Sequence, residues 1–153
     1  MENRLKFLVL NGPNLDLLGE RETGIYGEVT LEELETLCKN WGAERDIEIR
    51  CAQSNHEGEL IDLLHAARLD CRGVVLNAAG YTHTSVALRD AVSAIRIPVV
   101  EVHLTNTAAR ESFRHGSLLT AVASGLVMGF GAAGYVLALE GLLGLTKVEW
   151  TGT

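Results

Sequence analysis

Proline is nearly absent from this 153-residue chain, with two in all, and cysteine is scarce, with Cys38, Cys51 and Cys71 only. No CxxC pair occurs, and three widely spaced thiols suit neither a disulfide framework nor a zinc site. They are expected to be buried free thiols of a reducing cytosol. No run of lysines or arginines interrupts a formal charge of −7, which argues against nucleic acid as a partner. The start, MENRLKFLVLN, lacks a basic region followed by an apolar stretch of signal-peptide length, so a cytoplasmic location is expected. Residues 116–139 carry no charge and are long enough for a membrane span. Gly125, Gly129, Gly131 and Gly134 divide that stretch, which reads instead as a buried strand running into a buried helix, and no membrane partner is expected. What is present is a chain 47% hydrophobic, enough to core a single domain over 1–153 without a metal or disulfide staple.

Short apolar, β-favouring runs are expected as strands over 6–10, 47–52, 73–77, 98–103 and 125–128. Helices are expected between them. Thr30 and Glu33 form a capping-box pattern before Leu31, Leu34, Leu37, Cys38 and Trp41, and similar spacing marks 59–69, 85–95 and 130–143. Continuous Val/Ile/Leu strands alternating with helices imply an α/β fold, a five-stranded parallel sheet with helices on both faces in the flavodoxin-like arrangement. Ligands of such sheets bind beyond the carboxyl ends of the strands, which singles out Asn14, Asn77, His83, His103 and Thr105.

Four segments could carry chemistry. The long loop NGPNLDLLGERETGIYG places Asn14, Arg21 and Tyr26 together, a carboxamide, a cation and a phenol. A phenol serving as base near neutrality needs its phenolate stabilised by about 3–4 kcal/mol, which a guanidinium can supply. In VVEVHLTN, Glu101 and His103 are two apart on a strand and share a face, so the carboxylate can orient the imidazole as a general acid. A satisfied buried pair explains the same spacing, whereas no third and fourth ligand supports a metal. His83, Thr84 and Ser85 precede a helix in LNAAGYTHTSVALRDA, suiting hydroxyl or carboxylate recognition or plain capping. Arg110 and Arg114 in ARESFRHGS would share one face if helical, as an anion clamp or as surface charge. GFGAAG, residues 129–134, is a literal GxGxxG, but no strand with an acidic residue follows the helix after it. Close helix–strand packing is the expected reason for its glycines.

Taken together, NGPNLDLLGERETGIYG, LNAAGYTHTSVALRDA, EVHLTN, ARESFRHGS and GYVLAL resemble the type II 3-dehydroquinate dehydratases, in order, over residues 5–143. That resemblance implies a cofactor-free hydro-lyase of the shikimate pathway or of quinate breakdown, turning 3-dehydroquinate into 3-dehydroshikimate by anti elimination of water. It further implies that Tyr26 is the base, held as phenolate by Arg21 on a lid over 11–29, with Asn14 stabilising an enolate. His103, supported by Glu101, would be the acid. Asn77 with the Leu104 and Thr105 amides would hold the carboxylate, His83 and Arg114 would read ring hydroxyls, and Arg110 would lie near the lid. Asp90 would reach a neighbouring subunit's site in a dodecamer of four trimers, leaving 146–153 as a tail. Thr23 departs from the family pattern, which has proline there, so the lid is expected to be more mobile; Asp16 and the Ala-Gly of LNAAG also depart. The type I route needs a Schiff-base lysine, and Lys6, Lys39 and Lys147 fall in none of these segments. A flavin- or nucleotide-binding protein of the same fold, or a non-catalytic small-acid binder, are the alternatives.

Overall fold

A computed structural model describes residues 4–147. Five strands, β1 (Lys6–Asn11), β2 (Glu48–Gln53), β3 (Gly73–Asn77), β4 (Val99–His103) and β5 (Gly125–Met128), form one parallel sheet in the order β2-β1-β3-β4-β5. This is the flavodoxin-like order, in which the chain first steps outward from β1 to β2 and then returns past it to β3. A one-turn helix α1 (Thr23–Tyr26) lies in the first loop, and α2 (Leu31–Ala43), α3 (Glu57–Asp70), α4 (Val86–Ile95) and α5 (Ala133–Lys147) supply the crossovers and the closing layer.

Period-two alternation divides the sheet's apolar residues between two cores. Phe7, Val9, Val75, Val100 and Val102 face one way, against Leu34, Cys38 and Trp41 of α2 and Tyr135, Ala138 and Leu139 of α5. Leu8, Leu10, Val74, Leu76 and Val99 face the other, against Leu60 and Leu64 of α3 and Leu88, Val92 and Ile95 of α4. The capping expectation at Thr30 is met: its hydroxyl accepts from the Glu33 amide at 3.1 Å and donates to the Glu33 carboxylate at 3.2 Å. Ser85 caps α4 in the same way, accepting from the Leu88 amide at 2.9 Å.

Several expectations need correction. The 116–139 stretch does contain a strand and a helix, but β5 pairs only with β4 at the sheet edge and leaves Leu126 exposed. Its helix starts at Ala133 rather than at 130, because Gly129 (φ 96°) and Gly131 (φ 59°) hold a left-handed turn. That conformation, rather than tight packing, requires these two glycines. A Cβ on Gly131 meets nothing within 4 Å, and one on Gly134 makes only ordinary contacts at 3.6 Å. The closing helix also absorbs Thr146 and Lys147 of the expected tail, whose remainder, 148–153, lies outside the described residues. Cys38 and Cys71 are buried as expected, but Cys51 is only half-buried. Burial pushes the Cys38 and Cys51 thiols up to about 12 and that of Cys71 to about 11, which disfavours the thiolate form at neutral pH. Among the described residues no helix is long and apolar enough to cross a membrane.

Candidate active site

β1, β3 and β4 end side by side in Asn11, Asn77 and His103, and the chain beyond each of them opens a cleft of about 190 Å³. The ends of β1 and β3 approach unusually closely. The Gly12 amide donates to the Asn77 carbonyl at 2.7 Å, and a Cβ on Gly12 would sit 2.6 Å from the Ala78 carbonyl oxygen, so only glycine fits. Ten residues singled out from sequence line the cleft: Asn14, Arg21, Tyr26, Asn77, His83, His103, Leu104, Thr105, Arg110 and Arg114. Glu101 stands directly behind His103. Asp90 is exposed on α4 and lines no part of this cleft.

The loop after β1, the expected lid, carries the phenol. It is less irregular than expected, since Leu15–Leu17 forms a 3-10 turn and α1 presents Tyr26 at its end. Glu22 enters α1 with φ 36° and Gly27 leaves it with φ 81°, a sharp excursion that swings Tyr26 back over the sheet. Two guanidinium groups meet the ring. Arg110 Nη1 donates to the Tyr26 hydroxyl at 2.7 Å, whereas Arg21 Nη2 stands off at 3.5 Å, its carbon 4.6 Å from the ring centroid. The cation nearer the oxygen is thus Arg110, although its carbon also lies over the ring, 5.1 Å from the centroid. Positive charge therefore stands ready where a negative oxygen would form. Arg110 and Arg114 do not share a helix; each follows or ends its own 3-10 turn, Thr107–Ala109 and Ser112–Arg114, and both reach the cleft nonetheless.

On the sheet side, Glu101 and His103 share a face as their spacing requires. His103 Nε2 and Glu101 Oε2 are 2.5 Å apart, with the residues 6% and 1% exposed. Burial opposes ionisation of Glu101, yet hydrogen bonds from His103 and Thr120, the His103 charge and the Ser117 hydroxyl together hold its carboxyl below the usual carboxylate range. Asn77 is oriented from beneath: its Nδ2 donates to the Tyr135 hydroxyl at 2.9 Å and its Oδ1 accepts from the Ala79 amide at 3.1 Å. The Tyr135 hydroxyl donates in turn to Asn11 Oδ1 at 2.5 Å. Burial pushes the Tyr135 phenol far above its ordinary value, so this second tyrosine stays neutral and structural.

The GFGAAG turn offers its amides elsewhere. Gly129 N and Gly131 N donate to the His103 and Leu104 carbonyls at 3.3 and 2.9 Å, so they clasp the end of β4 and do not face a phosphate. Among the described residues no three His, Cys, Asp or Glu side chains cluster as a metal would need, and no lysine lines the cleft.

The sequence pattern of the family described as Dehydroquinase class II matches residues 5–143. The chain belongs to this family. A 3-dehydroquinate dehydratase from Ruegeria pomeroyi is 56% identical over 135 residues, covering 88% of this chain and 91% of the relative. One from an Exiguobacterium species is 55% identical over 141 residues, covering 91% and 94%. The crystal structure of the type II dehydroquinase from Butyrivibrio crossotus superposes with a TM-score of 0.91 at 41% identity, covering 93% of this chain and 99% of that one. For this dehydroquinase-family chain, sequence reasoning missed the layer behind the cleft, Asn11, Ser117, Thr120 and Tyr135. Asn11 alone carried a signal, as a polar residue ending an apolar strand.

Proposed function

We propose that this chain is a 3-dehydroquinate dehydratase, a hydro-lyase that forms 3-dehydroshikimate through an enolate. The observation that carries this reading is a single cleft in which a phenol held by two guanidinium groups faces an imidazole bonded to a buried carboxylate. An elimination needs a base at one carbon and an acid at the leaving oxygen, and these are the two groups supplied.

Tyr26, as phenolate between Arg110 and Arg21, removes the C2 proton. The electron pair moves into the C3 carbonyl, and the enolate oxygen is stabilised by Asn14 through a water. His103, as imidazolium on Glu101, delivers its proton to the C1 hydroxyl as that group departs as water, leaving the C1–C2 double bond. The phenol's gained proton returns to the imidazole to reset the pair. Asn77 and the Leu104 and Thr105 amides hold the substrate carboxylate, while His83 and Arg114 read ring hydroxyls. Asp90, exposed on α4, is assigned to the cleft of a neighbouring subunit in a dodecamer of four trimers working in the cytoplasm. The coverage of named relatives and the positive lining of the cleft support this assignment.

The test is an assay of purified protein with 3-dehydroquinate, following the conjugated enone product by ultraviolet absorbance. Absence of product overturns the proposal. Borohydride added with substrate should leave activity intact, because no lysine lines the cleft to form an imine.

A further inference from the structure

Glu101 is engaged more heavily than holding one imidazole requires. Its Oε2 accepts from Ser117 Oγ at 2.9 Å as well as from His103, and its Oε1 accepts from Thr120 Oγ1 at 2.6 Å. Ser117 Oγ itself accepts from the Leu119 and Thr120 amides at 3.0 and 3.1 Å, which commits its lone pairs and directs its proton at Glu101. The segment bearing both hydroxyls is pinned on two sides. The Leu118 amide donates to the Thr82 carbonyl at 2.9 Å, and Arg89 Nη1 donates to the Leu118 carbonyl at 2.8 Å. Neither hydroxyl residue lines the cleft.

We propose that Ser117 and Thr120 are positioning residues that act through Glu101, keeping the shared proton on His103 and turning the ring's other nitrogen, Nδ1, to the cleft. The proposal rests on the reading of His103 as the acid. A carboxylate and an imidazole 2.5 Å apart share one proton, and its place depends on how well the carboxylate's charge is satisfied. Hydroxyl donors to both oxygens stabilise the charged carboxylate. Without them the proton passes from Nε2 to Oε2, leaving a neutral ring with Nδ1–H, a far weaker acid than the imidazolium.

The experiment compares Ser117→Ala, Thr120→Val and the double variant of the full chain, reading kcat and KM with 3-dehydroquinate and the ¹⁵N shifts of the His103 ring. Each single variant should lower kcat about tenfold, the strength of a hydrogen bond to a charged group, while KM changes less than about twofold. The His103 nitrogens should move from the imidazolium pattern toward the neutral Nδ1–H pattern, and Ser117→Thr or Thr120→Ser should restore both readouts. Thr120→Val is isosteric at an exposed residue, so the test survives if Ser117→Ala fails to fold. A double variant with parental kcat, or one slowed with unchanged His103 signals, overturns the proposal. His103→Gln run in parallel separates the two ideas: parental kcat there defeats the acid assignment itself, whereas a slow His103→Gln beside an unaffected double variant defeats only the positioning.

Discussion

The two halves of the cleft are built in different ways. The loop after β1 contributes two half-buried side chains, Arg21 just before Glu22 and Tyr26 from the helical turn between Glu22 and Gly27, both of which have positive φ. Arg110, from beyond β4, ties that turn to the rest of the molecule through its 2.7 Å hydrogen bond to the Tyr26 hydroxyl. The end of β4 contributes Glu101 and His103 from the middle of the sheet, with the carboxylate already bonded to three donors. One group is held by a contact between two loops and the other by the sheet itself. Under the proposed function, the charge that would lower the barrier on the phenol side depends on a contact between segments, while that on the imidazole side belongs to the sheet.

The sharpest way to break this contrast is Tyr26→Phe, which should lower kcat at least about 10³-fold with no change in thermal midpoint, since the hydroxyl meets only side chains of the cleft. Glu101→Gln should show the opposite balance, with a loss of about 3 kcal/mol of stability at neutral pH because a buried ion pair is left half-made. Its pH dependence follows in sign. The Glu101 carboxyl is lowered in the folded state, so its contribution is present above the ordinary glutamate range, near pH ~4.3, and is lost as pH falls through the lowered value. Denaturant titrations across that acidic window should decline for the parent protein, with that component missing from the variant.

A smaller effect sharpens the lid side. Arg110→Met should lower kcat about 10²-fold and by more than Arg21→Met, because Arg110 makes the 2.7 Å contact and Arg21 the 3.5 Å one. Equal losses would mean that ring stacking and oxygen contact matter alike. The smallest effect belongs to the frame: Ala79 holds φ 51° beside Asn77, so Ala79→Gly should raise the unfolding free energy by up to about 1 kcal/mol, with kcat little changed.

Much of the frame was legible because it follows from periodicity. β3 and β5 fall on their expected bounds, and α4 begins one residue after its expected start at Ser85, which serves as its cap. The start of α5 was misplaced because periodicity registers apolar spacing and not the sign of φ at Gly129 and Gly131. Strand ends announced Asn77 and His103, since a polar residue closing an apolar run has few structural reasons to be there. Ser117, Thr120 and Tyr135 gave no such sign. A hydroxyl in a loop and an aromatic on an apolar helix face look ordinary until a tertiary contact gives each a partner, Glu101 for the first two and Asn77 for the third.

Arg21 and Tyr26 belong to the same loop between β1 and α2, whereas Arg110 follows β4. A lid that lifts therefore carries one cation with it and leaves the other behind. Under the proposed function, opening of that loop would halve the positive charge around the phenol and closing would restore it, making the admission of a ligand and the arming of the base one movement.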